Sequence, residues 1–195
     1  MFLCIGILLA MLPLLGFAAD PRVAQDSRQA FRAFGDPLVG VWQSRLREWE
    51  GPAHESLRET QQVRRFEWVL KGTFLQESVF SVMRNGEKEL IAINLFSVDP
   101  ESTHVLESGF RSGEPNRRIS LDAELAPNLR QLSGYVSLHR DTMEKDSELR
   151  RVEMKWLEDD RWSWRTYAKA PNGREYLLEE VINSRRIDTR EIPAQ

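Results

Sequence analysis

The chain has one cysteine in 195 residues, and it stands at position 4 in an uncharged opening segment. If that segment is removed, no thiol remains for a disulfide, a thiolate nucleophile or an iron–sulfur ligand, and stability has to come from packing. Histidine is almost as scarce. His54, His104 and His139 show no i, i+2 or i, i+4 pairing, so no metal site is expected. There is no G-x-S-x-G turn and no evident set of serine, histidine and acid, which leaves hydrolase chemistry without an anchor. Charge of one sign is lacking too. The 27 basic and 30 acidic residues give a net charge of −3 and are spread along the chain, so no sustained positive field exists to hold nucleic acid. The densest basic spot, Arg185-Arg186 with Arg190 nearby, falls at the end of the last predicted strand and reads as a solvated edge. No repeat unit or low-complexity tract interrupts the pattern.

What is present begins with residues 1–18, which carry no charged side chain and end in Gly16 and Ala18, small residues suited to positions −3 and −1 of a signal-peptidase site. The expectation is a signal peptide cut before Ala19 and a secreted or periplasmic protein. An uncleaved anchor is the alternative, and the sole membrane association foreseen. Residues 19–37 form an N-terminal helical segment: Asp20-Pro21 suits a helix start and Gly35 a stop, with Ala24, Ala30, Phe31 and Phe34 as a partial apolar stripe. Such a helix is expected to lie against the rest of the chain as a plug or cover. Residues 187–195 make a polar C-terminal tail.

Between these ends, residues 38–186 read as one domain of about ten short strands. Apolar alternation places them at 38–49, 62–70, 73–83, 88–98, 103–111, 117–122, 129–139, 148–157, 161–169 and 175–185. Turn residues separate them: Gly51-Pro52, Lys71-Gly72, Asp99-Pro100, Ser112 with Gly113, Pro127-Asn128, Asp159-Asp160 and Pro171-Asn172-Gly173. Asn85-Gly86 is the strongest hairpin signal, because both residues tolerate positive φ. The fold class is all-β: an antiparallel up-and-down β-barrel of about ten strands with a short N-terminal helix. The strand at 88–98 is apolar on both faces. Leu90, Ala92, Phe96 and Val98 share one face with Asn94, and Ile91, Ile93 and Leu95 occupy the other. The second face needs cover, from Phe31 and Phe34 or from a second copy in a homodimer.

Gly40-Val41-Trp42 resembles the G-x-W signature of lipocalin-type barrels, whose tryptophan closes the barrel floor beneath an arginine from a late strand. A longer set resembles a family of bacterial lipocalin-like, calycin-type barrel proteins. It comprises Glu67-Trp68-Val69-Leu70-Lys71-Gly72-Thr73-Phe74-Leu75, Ser97-Val98-Asp99-Pro100, Pro171-Asn172-Gly173-Arg174-Glu175, and Glu180-Val181-Ile182-Asn183-Ser184-Arg185. The resemblance implies the fold and carries no activity. Heme-binding relatives of this barrel class need a histidine on a late strand, and none follows His139, so no cofactor is expected.

A barrel encloses volume, which side chains fill or a ligand occupies. Nine aromatics offer an apolar lining: Trp42, Trp68, Trp156, Trp162, Trp164, Phe74, Phe80, Phe96 and Phe110. The candidate ligand-binding set is Trp42 and Trp68 with the polar groups Gln76, Ser78, Asn94, Arg165 and Tyr167. Trp162 and Trp164 alternate with Arg165 and Tyr167, so the two sets cannot share one cavity. Of the strand carboxylates Glu77, Glu107, Glu153 and Glu180, an inward one would have a raised pKa and could move protons, whereas an outward one would be solvated or paired with an arginine. Glu153 reads as outward. The leading expectation is therefore a non-enzymatic barrel holding a small apolar molecule. The alternatives are an interaction module that dimerises through an outer sheet face, with a filled interior, and an enzyme using Glu77 or Glu180 as base.

Overall fold

The computed structural model of the protein describes residues 21–54, 56–102, 104–140 and 148–185. The expected signal peptide (1–18) and polar tail (187–195) lie outside the described residues. A helix α1 (Pro21–Gly35) and one 3-10 turn (Asp36–Leu38) lead into ten strands: β1 (Gly40–Glu50), β2 (Ser56–Val69), β3 (Phe74–Val82), β4 (Lys88–Val98), β5 (His104–Arg111), β6 (Glu114–Leu125), β7 (Gln131–Arg140), β8 (Glu148–Glu158), β9 (Arg161–Lys169) and β10 (Glu175–Arg185). Each strand pairs antiparallel with its neighbour in sequence. β1 pairs in addition with β10, from Trp42 opposite Arg185 to Glu48 opposite Glu179, and the sheet closes into an up-and-down barrel without edges.

The tight hairpins form as their residues dictate. Gly86 takes φ 84, its N–H donates to the Met83 carbonyl at 2.9 Å, and Asn85 Oδ1 accepts from the Glu87 N–H at 3.0 Å. Asn172 and Gly173 repeat the same arrangement before β10. Two strands extend beyond the sequence expectation. β2 starts at Ser56 instead of 62, and its polar first half is held to β1 by the ladder and by the Arg47–Glu59 ion pair at 3.2 Å. β6 likewise spans Glu114–Leu125, past both ends of 117–122.

α1 and the lower ends of the strands make a dense floor. Trp42 is fully buried, its Nε1–H donates to the Leu38 carbonyl at 2.6 Å, and its ring meets Trp156 and Trp162 edge-on, each 5.9 Å between centroids. Arg185 from the last strand lies 5.5 Å above the Trp42 ring and donates to the Val39 carbonyl at 2.9 Å. Phe31, Phe34 and Leu38 join this cluster from the helix side. Trp68 clamps the helix: Phe31 packs edge-on at 5.5 Å, Arg32 stacks at 4.1 Å, and the indole N–H donates to Asp36 Oδ1 at 2.8 Å. The helix is thus a plug. Phe31 and Phe34 do not cover the outer face of β4, contrary to one expectation, because they are spent in the barrel end; Ile93 and Leu95 stay half-buried on the outside.

A bulge between Val79 and Phe80 shifts the β3–β4 register. Beyond it, Leu90 joins Val41, Val63 and Phe80 in a separate apolar cluster, while Ile91 lines the interior.

Candidate functional site

The barrel interior is open above the floor, with a cavity of about 350 Å³. Its lower walls are apolar, formed by Leu38, Phe66, Leu75, Leu132, Met154 and Trp162. At the end opposite α1 the rim is charged, with Glu48, Arg111, Arg150 and Glu179. Between the two, on the adjoining walls of β2 to β5, four polar side chains meet: Arg64, Glu77, Asn94 and Glu107.

Strand register assembles this group. Phe66, Glu77, Asn94 and Gly109 lie directly opposite one another across β2 to β5. Glu77 is buried and accepts from Arg64 Nη1 at 2.7 Å and from Asn94 Nδ2 at 2.5 Å, while Arg64 Nη2 donates to Gln62 Oε1 at 3.0 Å. Two charges are therefore held away from water as a matched pair, the one form in which such groups are tolerated inside. Asn94 uses its NH₂ on Glu77, which turns its Oδ1 toward β5.

There the wall lacks a side chain. Gly109 leaves the space that Asn94 Oδ1 occupies, 2.6 Å from where a Cβ would stand, and Glu107 Oε1 lies 3.5 Å from the same point. Two acceptors thus converge over Gly109. Asn94 Oδ1 is buried without a hydrogen-bond partner, and Glu107, only 7% exposed, receives neither a hydrogen bond nor an ion pair among the described residues. Burial pushes the Glu107 carboxyl up to about 8, the neighbouring Glu77 charge pushes it the same way, and Arg64 and Arg111 oppose them less strongly. At neutral pH Glu107 is a neutral acid facing a cavity, the kind of perturbed group that concentrates at functional sites.

Of the seven residues singled out from sequence, Asn94 lines the cavity. Trp42 lies beneath it in the floor, and Trp68 packs on the helix. Gln76 and Ser78 point outward and bond to each other at 3.2 Å, since Leu75, Glu77 and Val79 take the inward positions of β3. Arg165 and Tyr167 point outward as well, bonded to Glu180 at 2.9 Å and Glu153 at 3.2 Å, while Trp164 and Thr166 face in. Glu180, one of the two nominated bases, is thereby tied on the outer surface to Arg165 and Arg47. Glu77 is inward, as the enzyme alternative requires, and Glu153 is outward. Phe110 is also outside, at 54% exposure, and Phe80 packs in the second apolar cluster.

Sequence reasoning passed over Gln62, Arg64 and Glu107 as members of a binding set. A usable signal existed: on β3 the period-two face reads Leu75, Glu77, Val79, and on β5 it reads Val105, Glu107, Gly109, a carboxylate flanked each time by apolar or small residues.

No family model matches this chain, and no curated protein matches it. Among solved structures, one that matches is a redesigned beta barrel, with a TM-score of 0.37 and 7% sequence identity over 78% of this chain and 94% of that one.

Proposed function

We propose that this protein is an exported, lipocalin-like barrel that binds a small, largely apolar molecule in its interior. The observation that carries the reading is the cavity of about 350 Å³ above a sealed aromatic floor. Ligand sites run from about 300 to 1,000 Å³ and pair an apolar lining with a few placed polar groups, a description that fits these walls. The cavity also favours binding over the interaction module, which calls for a filled interior. Export to a secreted or periplasmic location is supported by the uncharged leader at residues 1–18.

The test is extraction of the purified protein followed by mass spectrometry, together with thermal shift across a panel of lipids and amphipathic metabolites. A co-purifying small molecule, or a ligand that raises the melting temperature in a concentration-dependent way, is the expected result. An empty protein that responds to nothing in the panel would rule the reading out.

A further inference from the structure

The cavity walls carry charged side chains of both signs. Among the described residues lining it are four carboxylates, Glu48, Glu77, Glu107 and Glu179, against three guanidiniums, Arg64, Arg111 and Arg150. Arg64 is matched by Glu77, and Glu107, in the dry middle of the barrel, has no ion pair among the described residues. Beside it stands the unpaired Asn94 Oδ1. Two acceptors converging on one spot require a donor between them.

With the barrel empty, Glu107 itself carries that proton. Occupancy offers another donor. A ligand anion would face two acceptors, Glu107 and Asn94 Oδ1, with the nearest cation, Arg64, already paired to Glu77. A neutral alcohol could donate its one O–H to a single acceptor and would leave Glu107 protonated. A monocation would supply N–H donors to both acceptors and a counter-charge to Glu107, allowing it to ionise at modest cost, because its pKa lies close to neutrality. Arg111 acts on Glu107 only from the exposed rim, as the smallest of its influences, and the unpaired donors deeper in the walls do not reverse this preference. Trp162 Nε1 lies down in the floor against Trp42 and Phe66, and the charge of Arg64 is already spent on Glu77.

Resting on the binding reading above, we infer that the ligand is an amine: an apolar body with a single protonated nitrogen, seated against Glu107 and Asn94 over Gly109. Binding then expels the Glu107 proton.

Three probes of equal chain length separate the possibilities: octylamine, octanol and octanoate, titrated calorimetrically into the purified protein near pH 7 in two buffers of different ionisation enthalpy. The expected result is octylamine binding at least about tenfold tighter than either of the others, with close to one proton released per molecule bound. In Glu107→Gln the amine preference and the proton release should both vanish, and an unchanged circular dichroism spectrum with a cooperative melt reports that the variant is folded. Octanol or octanoate binding as tightly as the amine, amine binding without proton release, or a preference that survives in Glu107→Gln would each overturn the inference and leave small-molecule binding standing. If none of the three binds, the inference falls, and the binding reading is decided separately by the extraction and the thermal-shift panel above.

Discussion

The two ends of the barrel solve opposite problems. At the floor, Trp42, Trp156, Trp162 and Phe66 meet edge-on, the helix plug adds Phe31, Phe34 and Leu38, and polar atoms are few. Toward the rim the same strands turn inward Arg64, Glu77, Asn94 and Glu107, then Glu48, Arg111, Arg150 and Glu179, and the space between them stays open. The lower end buries apolar area, which drives folding. The upper end accepts desolvated charge, which contributes little net stability. Stability and, on the function proposed above, recognition are thus divided along the barrel axis.

The sharpest way to break the comparison is to remove the floor. Trp42→Ala should cost about 5 kcal/mol in chemical denaturation, at the upper end for a buried tryptophan, whereas Arg111→Ala at the rim should stay within about 0.5 kcal/mol. Next comes the pair inside the wall. Glu77→Gln leaves the Arg64 guanidinium buried without its counter-charge and should cost about 3 kcal/mol. The same change removes the charge that helps hold the Glu107 proton, so the Glu107 pKa should fall, read by carboxyl-resolved NMR titration.

A smaller effect follows from pH. A carboxyl whose pKa is higher folded than unfolded binds the extra proton in the native state, so its contribution is complete below the ordinary value of 4.5 and is lost as pH rises through about 8. Stability of the unliganded protein should therefore drop by on the order of 2 kcal/mol between about pH 6 and about pH 9, and Glu107→Gln should flatten that part of the profile. The difference between the two denaturation series is the measurement. Smallest is the stacking over the floor: Arg185→Ala, at an exposed site, should cost about 0.5 to 1 kcal/mol, with no change in ligand affinity.

The barrel was legible because its turns are. β4, β9 and β10 have the bounds that Asn85-Gly86, Asp159-Asp160 and Asn172-Gly173 impose, and Trp42 could be placed in the floor from its triplet. The first half of β2 was hidden, since Ser56 to Gln61 alternates in neither hydrophobicity nor size and is a strand only because β1 lies beside it. The site was harder to see. Asn94 stands out as the one polar residue on an apolar face, whereas Glu77, between Gln76 and Ser78, reads either as an inward base or as an outward, arginine-paired side chain. The inward place is tolerated when a guanidinium arrives from the next strand, and Arg64 is thirteen positions from Glu77 in sequence. Burial of charge depends on register, which period-two reading of separate strands does not supply.

Because the first strand rises from the plugged end and the tenth descends to it, with Trp42 facing Arg185, the seam that joins them brings residues 40 and 185 out on the same side. A tether joined directly after residue 185 would leave the barrel on its plugged side, and a protein held on a sensor surface through that point would present its opening outward, ready for the amine titration to be repeated.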